Sequence, residues 1–272
     1  MTHVLTSLEV TAGNFNFTVP NAAGWGADGS HILTMQLTDS SGNASAAGGA
    51  VTVNLDTTAP LAPSNVISVP IAANGINSTE KSAGVQVTVD LTGTNAVAND
   101  SVEILLGGSS FAVPVLHALT APEISAHFAT VTIPSGAGWG ADGTKTISAQ
   151  VIDVAGNVGL AGGSLTTVLE TSMPSASGLP AYTDVDSSGT ISATDTYVFT
   201  ISEATDKAVG IGSINVSNSH TLGTGATAVW SSDGIHLTLT LGTGTSVAIG
   251  DTISLIGVAD PAGNMTSLSF TI

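Results

Sequence analysis

A gapless internal repeat is the feature of this sequence that most constrains its fold. The segment HVLTSLEVTAGNF, which begins at His3, matches HALTAPEISAHFA, which begins at His117, and the offset of about 114 residues persists to the end of the repeat. The match pairs Trp25 with Trp139. A fixed offset indicates tandem copies of one module. Because this offset exceeds the length of a solenoid repeat, each copy should be a whole domain.

A third, more divergent copy follows the first two. The segment DTISLIGVADPAGN at 251–264 is similar to KTISAQVIDVAGN at 145–157. We therefore divide the chain into a partial first module with C-terminal strands only (1–59), a complete second module (60–173) and a complete, diverged third module (174–272). The first module has no counterpart of residues 61–114, and we expect that its first strands were lost at a fragment boundary.

Short segments of alternating apolar and polar residues predict β-strands. In the second module these are AGVQVTVDL, SVEILLGG, FATVTIP, TKTISAQVID and SLTTVLE, separated by clusters of turn residues. About seven short strands in roughly 100 residues, without a helical period, are typical of an immunoglobulin-like sandwich. The predicted fold class is all-β, with tandem immunoglobulin-like β-sandwich domains in an elongated end-to-end array. The short, proline-ended joints at 54–60 and 168–174 should be fairly stiff.

The charge balance excludes several classes of partner. Twenty acids against three lysines and no arginine give a formal net charge of −17, so we expect neither nucleic-acid binding nor attraction to anionic membranes. No apolar run approaches the roughly 20 residues that span a bilayer, which predicts no membrane insertion. Such an acidic chain attracts cations instead. Because it has no cysteine, its stability must come from packed cores and bound metal.

The sequence also lacks the usual motifs of catalysis. It has no nucleophile elbow, no phosphate-binding loop and no cysteine nucleophile. Paired carboxylates for glycoside hydrolysis need a cleft with aromatic platforms, and aromatic residues make up only 4% of this chain. No pair among the six histidines has the spacing of a zinc site on one strand. We predict that the protein is not an enzyme and that its histidines lie on the surface.

The order of four short motifs resembles the bacterial Ig-like repeats of giant secreted adhesins. The motifs are DTTAP at 56–60, INSTE at 76–80, ADGT at 141–144 and DVAGN at 153–157. Their order and repetition cover essentially the whole chain. The third module departs from the pattern, because ISATD at 191–195 replaces the INxxE motif. The resemblance implies a type I-secreted, calcium-binding adhesin, in which the linker acid, the Glu of INxxE and the Asp of DxxGN bind calcium.

One acidic loop fits the twelve-residue calcium-loop pattern. DVDSSGTISATD at 184–195 places oxygen ligands at alternating positions and a glycine at the sixth. We reject an EF-hand, because the following TYVFTISE is a strand pattern rather than a helix. A calcium loop between the first two strands of a sandwich is our prediction, and a solvated, self-capped turn is the alternative. The equivalent loop of the second module has Val69 and Ile71 in place of the first two acids.

End-to-end stacking of sandwiches should gather further acids at each joint. At the second joint, Glu203 is expected beside ligands from both modules, and at the first joint Asp100 is expected to face the linker acid. Uncompensated, such carboxylates would push the modules apart, whereas calcium would lock them in line. The complete set of predicted calcium ligands is Asp28, Asp56, Asn74, Glu80, Asp142, Asp153, Glu170, Asp184, Asp186, Asp195, Asp206 and Asp260.

Several of these residue types have simpler interpretations. The Asp-Gly pairs that begin at Asp28 and Asp142 are good turn formers without any ion. Glu9 and Glu123 recur in an LTxxE stretch, which fits a solvated loop or a second class of calcium site. The repeated tryptophans fit a cap on the core better than a sugar-stacking platform.

Two functions of different classes follow. The first is a calcium-stiffened structural segment of a bacterial surface adhesin, monomeric, extracellular and associated with virulence, whose partners are calcium ions and its neighbouring Ig-like domains. The second is a binding module for host-cell glycans or surface proteins, for which Trp230, before a predicted hairpin turn, is the residue of interest. The amino-terminal MTHVLTSLEV has no basic region and is not a signal peptide, so we expect a cytosolic chain or part of a larger secreted protein.

Overall fold

The structure is a computed structural model that describes residues 1–20, 24–68 and 74–272. Within these residues it contains three short α-helices, α1 (Ser7–Ala12), α2 (Ser78–Ala83) and α3 (Ala121–Ala126). The strands are β1 (Gly29–Leu33), β2 (Val51–Leu55), β3 (Val66–Ser68), β4 (Val85–Asp90), β5 (Ser101–Leu106), β6 (Ser109–Ala118), β7 (Phe128–Ile133), β8 (Gly143–Ile152), β9 (Gly162–Leu169), β10 (Ala181–Thr183), β11 (Thr196–Thr200), β12 (Ile214–Val216), β13 (Thr227–Trp230), β14 (His236–Thr240), β15 (Thr252–Ala259) and β16 (Met265–Thr271). The all-β fold class is confirmed. Among the described residues, no helix is both long and apolar enough to cross a membrane.

The strands of the second module form two antiparallel sheets around one core. Their orders are β3-β4-β7 and β6-β5-β8-β9. In the first sheet Val87 lies opposite Val131, and in the second Ile104 lies opposite Ala149. All four side chains are buried in one hydrophobic cluster, as expected when alternate residues of each strand face the same side. Seven strands, β3 to β9, form this sandwich.

The third module has its own sandwich and its own core. Its sheets have the orders β10-β11-β14-β13 and β12-β15-β16, and Phe199 packs on Phe270 with ring centroids 4.8 Å apart. The register of β15 against β16 shifts between Leu255 and Val258. Such a β-bulge inserts one residue into a strand. It accounts for the one residue by which this segment exceeds its second-module counterpart.

The first module keeps the local structure of the second without a buried core. The β1–β2 hairpin pairs Gly29 with Leu55, in the same register in which Gly143 pairs with Leu169. The Asp39–Asn43 turn likewise repeats the turn at 153–157. Yet none of the described residues between 1 and 59 is buried.

Three six-residue helices interrupt the strands, although the sequence pattern indicated none. Each begins with a capping box. The N-cap side chain accepts a hydrogen bond from the backbone N–H of the third helical residue, which is a glutamate. The side chain of that glutamate accepts a hydrogen bond from the backbone N–H of the N-cap residue. These glutamates are Glu9, Glu80 and Glu123. Less than two turns of helix is too short for a hydrophobic period to be visible in the sequence.

Candidate metal centres

The end of the second module is built by its last strand and by the segment before α2. The N–H of Ile76 donates to the carbonyl of Val168 at 2.7 Å, and the N–H of Glu170 donates to the carbonyl of Ile76 at 3.0 Å. Ile76 is fully buried, which anchors this short parallel bridge in the core. Glu170 and the residues around Asn77 are therefore held side by side at the end that meets the third module.

The third module contributes the loop between β15 and β16. Asn264 donates from its backbone N–H to Asp260 Oδ1 at 2.9 Å and from its side-chain amide to Asp260 Oδ2 at 2.8 Å. Gly263 adopts φ +90°, and a Cβ at this position would lie 3.3 Å from the Asn77 side chain. The glycine thus permits both the tight turn and the close approach of the second module.

Asn264 joins the two modules through several hydrogen bonds. Its side-chain amide donates to the Glu170 carbonyl at 3.0 Å and also to the Glu170 carboxylate. Its Oδ1 accepts the N–H of Ser78 at 2.8 Å. The Asn77 side-chain amide donates to the Ala262 carbonyl at 3.0 Å, and the Asn74 side-chain amide donates to the Pro261 carbonyl at 3.1 Å. The loop is thereby fixed on the second module at many points.

Three carboxylates from the two modules converge beside these contacts. Glu170, Glu203 and Asp260 each place an oxygen within 4.8 Å of the others. Asp260 is buried, and the two glutamates are half-buried. Burial and the neighbouring Asp260 raise the pKa of Glu170 to about 7, and the same two causes raise the pKa of Glu203. These shifts mean that burial and the neighbouring acid oppose full ionisation of the cluster when no cation is bound.

The chemistry of this cluster fits a hard divalent cation. All its candidate ligands are oxygens, the type that calcium prefers. Within the described parts of the chain, no donor bonds the Glu203 carboxylate, and the ion pairs all involve histidine. Lys145 and Lys207 donate to backbone carbonyls elsewhere. Among the residues that the structure describes, no lysine or histidine forms an ion pair with these three acids.

The other acids predicted at this joint have separate partners. Glu80 accepts the N–H of Asn77 in the α2 capping box. Asp142 accepts the N–H of Thr171 at 2.8 Å and the Thr171 hydroxyl at 2.9 Å, which fastens the linker to the turn before β8. Asp206 accepts the N–H of Ala208. These three acids are not in the three-carboxylate group that the described residues form.

The first joint repeats part of this arrangement. Asn157 donates to the Asp56 carbonyl at 3.1 Å and to Asp153 at 2.8 Å, as Asn264 does to Glu170 and Asp260. Asp28 accepts from the hydroxyls of Thr57 and Thr58. Asp100, expected at this joint, is buried and accepts the N–H groups of Val97 and Val154. These two bonds tie the loop before β5 to the turn at 153–157.

The acidic loop at 184–195 connects β10 and β11, which pair antiparallel. Asp184, Asp186 and Asp195 each place an oxygen within 4.8 Å of the others. Asp195 is buried and accepts from the Tyr182 hydroxyl at 2.8 Å and the N–H groups of Val185 and Ser192. The other two aspartates accept backbone N–H groups at 188 and 189. Carboxylate oxygens with two lone pairs can accept these bonds and still bind a cation. The counterparts Val69 and Ile71 lie outside the described residues.

Residues with alternative roles have structural partners. Glu9 and Glu123 serve as capping-box acids and also accept from His3 and His117, at 3.1 and 2.7 Å. Trp139 is buried in the core against Phe111. The Trp230 indole donates to the Val209 carbonyl at 2.9 Å and packs against the third-module core. Each of these side chains therefore has contacts within the protein, although the buried indole N–H of Trp139 has no hydrogen-bond partner among the described residues.

Sequence reasoning missed the buried acids Glu103 and Asp251. Asp251 is 1% exposed and bonds the His220 ring at 2.6 Å, the Asn218 amide and the N–H of Ala248. Burial raises its pKa, but the bond from His220 and the other donors outweigh burial and lower the pKa to about 2. His220, predicted to lie on the surface, is half-buried and paired with this acid.

Comparisons with known proteins identify similar structures only. No protein-family model matches the chain, and no curated protein does. A structure of a 1.5-MDa bacterial ice-binding adhesin matches at 17% identity and a TM-score of 0.45, covering 90% of this chain and 73% of that one. A Ca2+-stabilised, ice-binding adhesin of an Antarctic bacterium matches at 19% and 0.45, covering 90% of this chain and 56% of that one. A tetra-tandem repeat from the extending region of a large adhesion protein matches at 20% and 0.30, covering 90% of this chain and 57% of that one. At these identities and scores, the likeness transfers neither ligand nor activity to this chain.

Proposed function

We propose that this chain is a structural segment of a large bacterial surface adhesin, in which calcium stiffens the joints between Ig-like modules with the bounds 1–59, 60–173 and 174–272. The observation that carries the proposal is the Glu170, Glu203 and Asp260 cluster, to which two modules contribute. A bound calcium ion would supply the missing positive charge. The loop at 184–195 and the remaining predicted ligands are proposed as further sites.

The asparagines and the acids at the second joint have different roles in this proposal. Asn264 and the amides of Asn74 and Asn77 set the register of the two modules. The three acids make that register depend on a cation, because their repulsion opposes docking when it is absent. Weak oxygen sites of this kind fill at extracellular calcium, on the order of millimolar, and stay empty in the cytosol. The segment would then be loose before secretion and rigid afterwards.

The cellular setting is part of the same proposal. The motif order supports a monomeric, extracellular segment exported by type I secretion and contributing to adhesion and virulence, and we propose a resemblance to the adhesin SiiE on the same motifs. The alternative is a module that binds host glycans or surface proteins. Trp230, the residue considered for that role, donates its indole N–H inside the protein, so we favour the structural role.

Calorimetric titration of the chelated chain with calcium tests this proposal. We expect the chain to bind calcium, and Glu170→Gln should abolish the binding heat of one class of calcium sites. Asp233→Asn is the matched control, because it makes the same charge change in a third-module turn where Asp233 accepts from Ser231 and Ile235 and lies 4.0 Å from the His236 ring. Equal calcium uptake by Glu170→Gln and by the unchanged chain would contradict a site at this joint.

A further inference from the structure

The third module has an open cavity beside its edge strand β12. Among the described strands, β12 pairs only with β15, and an edge strand leaves backbone polar groups unpaired on its outer side. The cavity has a volume of about 310 Å³ and is lined by Ile214, Asn215, Val216, His220, Thr221 and Leu222. We propose that this cavity binds a neutral monosaccharide, with the His220 ring accepting a hydrogen bond from a sugar hydroxyl.

A buried acid fixes the orientation of the His220 ring. The Nδ1 atom of the ring lies 2.6 Å from Asp251 Oδ2, and Asp251 is 1% exposed. An ionised carboxylate can only accept hydrogen bonds, so the proton of a neutral His220 lies on Nδ1. The Nε2 atom then carries a lone pair. Asp251 thereby makes Nε2 a hydrogen-bond acceptor of fixed direction.

The Nε2 atom of His220 is open to solvent. It makes no hydrogen bond within the described parts of the chain, where the only buried side-chain nitrogen or oxygen without a partner is Nε1 of Trp139. An unpaired Nε2 is therefore not buried. Because Nδ1 faces the buried carboxylate and the ring lines the cavity, Nε2 is the ring nitrogen that a ligand can reach.

The turn that carries His220 has a strained backbone. Asn218 and Ser219 have φ values of +57° and +59°, in the left-handed region that favours glycine. The Asn218 amide donates to Asp251 Oδ1 at 2.8 Å, and the His220 N–H donates to the Ser217 carbonyl at 3.0 Å. Strain that surrounding bonds maintain is concentrated at functional sites. The same buried acid thus holds both the turn and the ring.

The polar side chains of the cavity match the hydrogen-bonding groups of a sugar. Asn215 is exposed, and its amide, which has no hydrogen-bond partner among the described residues, can both donate and accept. Thr221 Oγ1 accepts the N–H of Gly223 at 3.2 Å and keeps its own proton for donation. Together with His220 Nε2, these groups provide donors and acceptors side by side. A sugar hydroxyl can pair with each of them, because it donates and accepts as well.

The charge and the size of the cavity restrict the ligand to a small neutral molecule. No acid or lysine lines the cavity, and the net charge of −17 disfavours an anion. One histidine without another histidine, cysteine or carboxylate in the lining does not form a zinc site. The volume lies at the lower limit of ligand cavities, which suits a single sugar ring. Because no aromatic ring lines the cavity, we expect weak binding, with a Kd on the order of millimolar.

This site is separate from the proposed calcium sites. The cavity shares no residue with either three-carboxylate cluster of the described chain. Sugar binding would therefore add to the structural role, and it should not depend on calcium.

Nuclear magnetic resonance of the isotope-labelled full chain tests the proposal. The probes are D-glucose, D-galactose and D-mannose, each titrated to about 100 mM, which saturates a site of millimolar affinity. At about pH 8, above the range in which histidines ordinarily titrate, the His220 ring should have its proton on Nδ1. At least one sugar should shift the resonances of His220 Nε2 and of the Asn215 and Thr221 amides along one saturating curve. The curve should be the same in calcium and in chelator.

His220→Asn removes the acceptor and keeps a donor close to the position of Nδ1, so that Asp251 retains a partner. Its affinity for the sugar should fall by about tenfold, as expected for the loss of one hydrogen bond. His236→Asn is the matched control, because it makes the same substitution in the third module at a ring outside the cavity lining. Asn215→Ala changes an exposed side chain, should leave the fold intact and should also weaken binding.

The proposal is overturned if none of the three sugars gives a saturating shift at His220, or if Nε2 carries the ring proton. It is also overturned if His220→Asn and Asn215→Ala bind the sugar as tightly as His236→Asn, since the turn and its buried acid would then serve the fold alone. These outcomes leave the calcium titration of the joint unaffected, so the two proposals fail independently.

Discussion

The Asn264 side-chain amide of the third module lies 3.0 Å from the Glu170 carbonyl of the second. The same amide bonds Asp260, so one side chain orients an acid of its own loop and reaches the linker acid of the neighbour. This relationship explains why the Glu170 and Asp260 carboxylates meet at the joint, and it defines which residues to change.

Replacing Asn264 should loosen the second joint. Asn264→Ala removes the acceptor for the Ser78 N–H and the donor to Glu170, and a buried group left unpaired costs about 1–3 kcal/mol. We expect a lower midpoint of denaturant unfolding for the third module. Asn157→Ala is the comparison, because Asn157 has one described cross-module bond, and its effect should be smaller. Equal losses would show that the cross-module bonds contribute little.

Chelated protein should lose stability as the pH rises from about 4.5 towards neutrality. The Glu170 pKa is raised from 4.5 to about 7 in the folded protein, so the folded state holds a proton that the unfolded state has released. Stability then falls as pH increases from about 4.5 to 7. Calcium should remove this dependence, because the ion favours the ionised carboxylate. Thermal unfolding of the chain and of Glu170→Gln, each with chelator across this range, measures the effect. A chelated Glu170→Gln variant with an unchanged slope would contradict it.

Asp251 should stabilise the third module above acidic pH. Its pKa is lowered from 3.8 to about 2, so its contribution is complete above pH 3.8 and disappears as the pH falls through about 2. The shift corresponds to about 2 kcal/mol. Asp251→Asn should lower the free energy of unfolding at pH 7 and have little effect near pH 2. A similar loss at both pH values would show that packing, rather than charge, accounts for the change.

The acids of the loop at 184–195 should differ in role: one mainly holds the loop together, and the others are candidate calcium ligands. Asp195→Asn should destabilise the third module with or without calcium, because the buried carboxylate accepts from Tyr182 and two N–H groups. Asp186→Asn, at an exposed position, should change stability mainly when calcium is present. Unfolding of both variants in calcium and in chelator distinguishes the two roles. If neither variant responds to calcium, the loop is a self-capped turn.

The repeat and the strand pattern were sufficient to predict the sandwich, since burial alternates along β4 as its sequence does. The capping boxes were not recognised, because a helix as short as α2 is too short to show a hydrophobic period in its sequence. Glu170 and Asp260 were predicted as joint ligands from their positions in the linker and the DxxGN loop, and Glu203 was expected beside them. The roles of Asp142 and Asp251 depend on residues about 30 positions away, and sequence spacing does not reveal such contacts.

Small-angle scattering of the full chain, in calcium and in chelator, tests the central claim most directly. Calcium should lengthen and stiffen the particle, and Glu170→Gln should weaken this change while Asp233→Asn leaves it intact. Superimposable profiles with and without calcium, together with no calcium uptake by calorimetry, would contradict a calcium-stiffened joint.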